Sequence, residues 1–288
     1  MMKKNQKRRS LCILAALLTC VVCFIGQWAC YHCLRQLNAR FVSPVGEENS
    51  LIRLQSVRTV EAPVIFMGSS LTERLLSGKS CASIAIPGSS FVHVNEYMKP
   101  RYRYSEGTVY VLEVNNMFNN RNNSLMARLN RWDFDFFCTS SHFSFAAKPI
   151  NLLTSTIFYV MDRGAYRTSG CFDSAAPLVC MDEVPDITDE QKKEWALLIA
   201  GVAEIRARGG RVCFVYHPSK ITGEHYRRAF EQACILAKYS GVPVLNYNSA
   251  EWVERLEFSD ATHLISRKKS TIMYRNTVAR DAAIIAVK

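Results

Sequence analysis

The sequence feature that most constrains the fold is the run Thr108-Val-Tyr-Val-Leu-Glu-Val114, which is apolar at nearly every position. A strand with one solvated face alternates apolar and polar residues, whereas a strand of a parallel sheet covered on both faces is apolar throughout. Helical patterns alternate with this run and with similar ones, so we expect an α/β fold: a three-layer α/β/α sandwich with a mostly parallel, flavodoxin-like sheet. The other predicted strands are Pro63–Met67, Ser83–Ile86, Val212–Tyr216 and Val242–Asn246.

The helices between these strands have recognisable ends. Thr188-x-x-Gln191 is a capping box, and the helix that it starts is expected to continue to Arg208. Gly241 ends a helix that begins near Glu224, and Pro243 indicates that the next strand lies at a sheet edge. The segment from about 119 to 185 is an irregular or helical insertion, which either caps the core or shapes a substrate groove. Further helices are predicted at Leu71–Leu76, Val92–Tyr97 and Ser266–Ala283.

The first 34 residues have the composition of a membrane anchor. Residues 1–10 form a basic tail, and Leu11–Leu34 contains no lysine, arginine or acidic residue. As a helix this segment would be about 36 Å long, enough to cross a bilayer, with Trp28 and Tyr31 near one interface. The positive-inside rule places the N-terminus in the cytoplasm and the rest of the chain outside it. The alternative is a cleaved signal peptide, but no small-x-small cleavage site follows the apolar core.

Beyond the anchor we expect a stalk or leading helix at residues 35–60 and one catalytic domain at 61–288. The formal net charge is +11, but five of the positive charges lie in the basic tail, which leaves about +6 for the remainder. No nucleic-acid motif or basic-aromatic stripe is present, so nucleic acid is not an expected partner.

The eleven cysteines divide by position. Those within the apolar segment are expected to be small apolar side chains, and Cys213 and Cys234 to be buried thiols. Cys171 and Cys180 flank a loop and are candidates for a disulfide in an oxidising compartment. No metal-ligand spacing occurs among the cysteines, and neither a metal nor an organic cofactor is expected.

Polar residues follow several of the predicted strands, where open α/β sheets bind their ligands. Gly68-Ser69-Ser70 follows the first strand, and Gly88 follows the second. Asn115 and Asn116 come after the strongest strand, which also carries Glu113, either a site acid or the partner of an arginine. A serine nucleophile at this edge needs oxyanion donors and a histidine base. Asp260-x-x-His263 supplies a base and a carboxylate that orients it from one loop, and His217 either lines the site or closes a loop.

The order Gly-x-Ser, Gly, Asn, Asp-x-x-His resembles the SGNH (GDSL-type) hydrolase superfamily over about residues 63 to 275. The resemblance implies that Ser70 is the nucleophile, with Gly88, Asn115 and the Ser70 amide as oxyanion donors. It also implies that His263 is the base and Asp260 the acid that orients it. Ser69 stands where the superfamily usually has an acidic residue and is the rival nucleophile, and Glu113 and Asn116 replace its usual Gly and Asp.

With these departures the chain resembles the membrane-anchored SGNH-like proteins that modify bacterial cell-surface polymers. That resemblance implies an extracytoplasmic serine esterase or O-acyltransferase that acts on acyl, chiefly acetyl, esters of a polysaccharide or teichoic acid. It also implies a multispanning O-acyltransferase as a partner in some cases. Two rivals remain: a non-catalytic SGNH-fold protein that binds glycan or assembles a membrane acylation complex, and a membrane thiol protein built on Cys30 and Cys33.

Overall fold

The computed structural model describes residues 2–37, 39, 41–44, 46–57, 62–75, 81–98, 106–117, 144–161, 170–173, 188–221 and 223–286. The chain divides into two compact units. One contains the N-terminal residues up to Ile52 together with described residues 144–161, and the other contains the rest, including the β-sheet.

The sheet unit is built on five parallel strands. Their order is β2-β1-β3-β4-β5, which is the flavodoxin-like order of doubly wound sheets. The strands are β1 (Val64–Gly68), β2 (Cys81–Ala85), β3 (Val109–Glu113), β4 (Arg211–Tyr216) and β5 (Val244–Asn246). All five were predicted within two residues of these bounds, and β5 lies at an edge as Pro243 indicated. The α/β class and the parallel sheet are therefore confirmed.

The strands are buried on both faces, which explains their continuous apolar sequences. On one face, alternate residues of β1, β3 and β4 pack with the C-terminal helix around Tyr274, Val278 and Ala282. On the other face, Phe214 of β4 contacts Phe91 at the start of a helix that follows β2. The sheet is therefore the centre of the core, and its strand ends hold the loops that follow them in fixed positions.

The described helices of this unit match most of the sequence predictions. They are α3 (Ser70–Glu73), α4 (Phe91–Met98), α6 (Asp189–Glu194), α7 (Ala196–Ala207), α8 (Glu224–Ser240), α9 (Ala250–Arg255) and α10 (Lys269–Ile285). Gly241 has a left-handed backbone with φ 62° and ends α8 as expected.

Two helix predictions need correction. The single helix expected from Thr188 to Arg208 is instead two helices, because Trp195 leaves the helical conformation (φ −92°, ψ 3°) while its indole is fully buried. The short helix α9 was not predicted at all. Only its Trp252 is buried, so its sequence carries little apolar periodicity.

The N-terminal unit contains α1 (Met2–Gln36), α5 (Pro149–Met161) and a short 3₁₀ turn at Phe145–Ala147. Within α1, Leu11–Gln36 is long and apolar enough to cross a membrane. The helix begins at Met2 and so includes most of the predicted basic tail. A further helix, α2 (Gly46–Val57), lies within the range where a stalk or leading helix is expected. Helix α5, which lies within the predicted insertion, groups with α1 rather than with the sheet unit.

Two of the cysteines lie in the buried environments that the sequence predicts. Cys213 and Cys234 are buried, and burial raises the pKa of their thiols to about 12 and about 11. Cys171 carries a free thiol, and the disulfide predicted between it and Cys180 involves a residue that the structure does not describe. Cys180 and the role of residues 119–143 lie outside the described residues.

Candidate active site

The candidate site lies at the carboxyl ends of β1 and β3, the point where the strand order reverses direction. In a sheet of this order, helices lead away from the two neighbouring strands on opposite faces, which opens a crevice at their ends. Ser69 and Ser70 follow β1, and Asn115 and Asn116 follow β3. β2 is also adjacent to β1, and Ile86 N donates a hydrogen bond to Gly68 O at 3.0 Å, which sets Gly88 two residues further along the same edge.

Ser70, His263 and Asp260 form one chain of hydrogen bonds. Ser70 Oγ lies 2.8 Å from His263 Nε2, and His263 Nδ1 lies 2.9 Å from Asp260 Oδ2. A carboxylate only accepts, so Nδ1 carries the hydrogen and Nε2 accepts from the Ser70 hydroxyl. This is the arrangement in which a histidine removes a proton from a serine. The structure thus brings together the three residues that the sequence proposed, across 193 residues of chain.

The Asp260 loop is held by its own backbone. Ser259 N donates to His263 O at 2.8 Å, which closes the loop at its base. Asp260 Oδ1 accepts from the amides of His263 and Thr262, both at 2.8 Å. These amide bonds, assisted by the His263 ring, hold the pKa of Asp260 well below its usual value. Asp260 therefore remains charged and oriented toward His263, although about half of its side chain is exposed.

Ser69 occupies a different environment from Ser70. It is buried and caps α3, and its Oγ donates to Glu113 Oε1 at 2.5 Å. Ser70 is half-buried and faces His263. The Ser69 hydroxyl directs its proton at a buried carboxylate that already accepts four other hydrogen bonds, whereas the Ser70 hydroxyl directs its proton at His263. The geometry therefore favours Ser70 over Ser69 as the nucleophile.

Glu113 is the centre of a buried polar cluster that sequence analysis did not foresee. Its Oε2 accepts from Ser69 N (2.9 Å), Thr72 N (3.0 Å) and Thr72 Oγ1 (2.7 Å). Its Oε1 accepts from Ser69 Oγ and from Asn116 Nδ2, the latter at 3.0 Å. The arginine partner considered for this residue is not found among the described residues, and the site-acid alternative does not fit a carboxylate with these bonds. Glu113 instead holds the turn on which Ser70 is mounted.

Gly68 is required by this cluster rather than by its backbone angles. A Cβ at this position would lie 2.5 Å from Glu113 Cβ, Glu113 Oε2 and Thr72 Oγ1. Only a residue without a side chain lets β1 approach the carboxylate so closely.

We expect Gly68→Ala to lower the free energy of unfolding by about 2 kcal/mol, because the added methyl overpacks a site that cannot expand. Gly223→Ala is the matched control, since a Cβ there meets nothing within 4 Å. Urea unfolding of the two variants and the parent measures the difference. Equal stability of the two variants would contradict the close packing described here.

His217 extends the buried cluster into the core. Its Nδ1 lies 2.8 Å from the Tyr274 hydroxyl, and its Nε2 lies 3.4 Å from Thr72 Oγ1. Because the Thr72 hydroxyl donates to Glu113, we assign the Nε2 hydrogen to His217 and the Tyr274 hydroxyl as donor to Nδ1. Burial lowers the pKa of His217 to about 4, so the ring is neutral at pH 7. His217 therefore supports Thr72 and does not contact Ser70 in the described hydrogen bonds.

A neutral buried histidine makes stability depend on pH with a defined sign. The unfolded state binds a proton near pH 6.5 and the folded state only near pH 4, so stability is complete above about pH 6.5 and falls as the pH drops toward 4. The loss over this interval is expected to be about 3 kcal/mol. His217→Gln should flatten the curve of unfolding free energy against pH. A variant curve parallel to that of the parent would contradict the assignment.

The two predicted oxyanion donors, Gly88 and Asn115, lie at the same edge of the sheet and are held in place in different ways. Pro87 and Gly88 form a turn closed by the bond from Ser89 N to Ile86 O (3.0 Å), and Gly88 has φ 72°, as residue i+2 of a type II turn requires. Asn115 is buried, and its amide pairs with the backbone of His217: Nδ2 donates to the carbonyl and Oδ1 accepts from the N–H. Its second Nδ2 hydrogen is not used by this pair.

The residues missed by sequence reasoning are Thr72 and Tyr274, together with the capping role of Ser69. Thr72 and Tyr274 stand in no motif, and their partners, Glu113 and His217, are distant in the sequence. In the part of the chain that the structure describes, no three His, Cys, Asp or Glu side chains cluster as a metal site requires. Compared with protein-family models, with curated protein sequences and with solved structures, the chain matches none.

Proposed function

We propose that this chain is a membrane-anchored serine esterase or O-acyltransferase of SGNH type. The observation that carries the proposal is the hydrogen-bonded chain from Ser70 Oγ through His263 to Asp260, at 2.8 Å and 2.9 Å. It lies beside a sheet switch point where α/β proteins bind ligands. Asn115 and Gly88 lie at the ends of the two strands that flank β1, on either side of the serine.

In the proposed reaction, Ser70 Oγ attacks the carbonyl carbon of an ester while His263 Nε2 takes the serine proton. The carbonyl oxygen becomes an oxyanion, which the Asn115 amide and the backbone N–H groups of Gly88 and Ser70 would stabilise by about 3 kcal/mol each. Collapse of this intermediate breaks the ester C–O bond, and His263 returns the proton to the leaving alcohol. Attack by water on the acyl-Ser70 gives hydrolysis, and attack by a sugar hydroxyl gives transfer.

The location of the reaction follows from α1. The basic residues before Leu11 favour a cytoplasmic N-terminus, so the proposed site faces the extracytoplasmic side. Acyl esters, chiefly acetyl esters, of a cell-surface polysaccharide or teichoic acid are the proposed substrates, with a multispanning O-acyltransferase as a candidate partner. The proposal includes a three-layer sandwich, supported by α10 against one side of the sheet and by α4 and α7 near the other.

The test is turnover by the full chain in lipid nanodiscs. An aryl acetate is supplied alone and with a deacetylated polysaccharide, and both free acetate and acetylated glycan are measured. Acetate release that is lost in His263→Gln supports an esterase, and acetylated glycan supports a transferase. A folded chain that forms neither product, with the aryl acetate or with an acetylated glycan, would contradict catalysis and favour the non-catalytic alternative.

A further inference from the structure

Helix α5 (Pro149–Met161) has its polar and apolar sides reversed relative to a helix of a water-soluble domain. Its exposed residues are Pro149, Ile150, Leu153, Ile157, Val160 and Met161, all of them apolar. At 100° per residue these positions cover an arc of about 120° on one face. The opposite face is buried and carries two polar side chains, Asn151 and Ser155, both fully buried, beside Leu152. A surface helix in water shows the opposite distribution.

Most polar side-chain groups of α5 form hydrogen bonds inside the protein, and Asn151 Oδ1 is a buried exception among the described residues. Asn151 Nδ2 donates to Phe145 O at 2.8 Å and to Glu48 Oε2 at 3.1 Å. Ser155 Oγ donates to Asn151 O and accepts from Val42 N at 2.8 Å. The hydroxyls of Thr154 and Thr156 donate to carbonyls four residues earlier, both at 2.8 Å. The side-chain donors of these four residues therefore need no water, as a lipid environment demands.

The position of α5 along α1 identifies what can cover the apolar face. Gln27 Nε2 of α1 donates to Ala147 O at 2.8 Å, two residues before α5 begins. Leu152 of α5 packs with Leu34 of α1, and Tyr31 packs against the same cluster. A hydrocarbon core of about 30 Å accommodates about 20 residues of a helix that enters at Leu11, so the segment near Gln27 and Tyr31 is where α1 leaves it. The bilayer interface is therefore continuous with the exposed face of α5.

The length and the charge of α5 are both consistent with a position at the bilayer interface. Thirteen residues rise about 20 Å, too short to cross a bilayer but suitable for a helix that lies along its surface. The helix contains no charged residue, and Lys148 directly before it is paired with Glu48 at 2.6 Å.

We infer that α5 is a second membrane-contacting element, seated in the bilayer interface through Ile150, Leu153, Ile157, Val160 and Met161. The inference rests on α1 crossing a membrane and is independent of the proposed chemistry. The N-terminal unit then contacts lipid at two places rather than one. A two-point contact limits rotation of this unit about the axis of α1, which a single helix does not.

The test places tryptophan on the proposed lipid face of the full chain in bilayers that contain brominated lipids. Leu153→Trp and Ile157→Trp replace exposed side chains and leave the buried face intact. Val22→Trp is the control within the membrane helix, and Leu197→Trp, also an exposed leucine, is the control on the sheet unit. The parent chain supplies the background of the four native tryptophans.

The emission added by each new tryptophan is obtained by subtracting the spectrum of the parent chain. For the Leu153 and Ile157 variants we expect this emission to lie at shorter wavelength. We also expect it to lose most of its intensity when the bromine lies near the headgroup end of the acyl chain. Val22→Trp should respond most to bromine deep in the chain, and Leu197→Trp should respond least. Unquenched emission at both α5 positions, with Val22→Trp quenched, would overturn the inference. That result would assign the apolar face to a protein partner instead of lipid.

Discussion

Replacing Ser70 with alanine is expected to lower the rate of ester hydrolysis by about 10³-fold or more, because the nucleophile and the acyl-enzyme pathway are both removed. The fold should be unaffected, since Ser70 is only partly buried and its described side-chain partner is His263, which is also partly exposed. The measurement is initial rate against aryl acetate concentration, with the circular dichroism spectrum as the folding check.

Ser69→Ala is the matched control for this experiment. It removes a helix cap and two bonds of the buried cluster, so it should cost about 1–2 kcal/mol of stability. It leaves the Ser70–His263 pair in place, so the folded variant should retain most of its rate. The two adjacent serines are thereby separated into a chemical and a structural role. A larger rate loss in Ser69→Ala than in Ser70→Ala would reverse the assignment.

Glu113→Ala is expected to destabilise the protein by about 4 kcal/mol. The substitution deletes the acceptor of five hydrogen bonds and leaves the Ser69 and Thr72 amides buried without a partner. Any activity of the folded fraction should also fall, since the turn that holds Ser70 loses its support. Urea unfolding measures the stability change.

Two further variants test whether the loss of stability in Glu113→Ala comes from the buried carboxylate. Glu113→Gln keeps one acceptor oxygen and the shape of the side chain, so it should destabilise less than alanine. Glu251→Ala removes an exposed carboxylate with a single salt bridge, to Arg255, and should change the stability by about 0.5 kcal/mol or less. If Glu113→Ala were as mild as Glu251→Ala, the central role of the buried carboxylate would be wrong.

The sheet could be predicted from the sequence because parallel strands buried on both faces consist of consecutive apolar residues. The sequence predicted Ser70, His263 and Asp260 because each stands in a short motif beside a strand or loop boundary. The sequence could not predict the distances between these residues, because the Ser70–His263 contact depends on the fold of a loop 193 residues away. Ser69 and Ser70 were hard to rank for the same reason: both follow β1, and only their partners distinguish them.

The Glu113 cluster illustrates the kind of feature that sequence patterns do not record. Glu113 was visible as an unusual acid in an apolar strand, but its partners lie 41 and 44 residues earlier in the chain and face it across the β1–β3 pair. The prediction of a single helix through Trp195 was wrong for another reason. The capping box and apolar spacing are compatible with one continuous helix, but the chain leaves the helical conformation at Trp195, whose indole is fully buried.

The central claim is that Ser70 Oγ is the nucleophile, and the most direct measurement is the site of a covalent adduct. The folded full chain is treated with a fluorophosphonate, digested, and its peptides are sequenced by mass spectrometry. We predict one phosphonyl group on Ser70, absent in Ser70→Ala and strongly reduced in His263→Gln. An adduct on Ser69, or no adduct on the folded chain, would contradict the account.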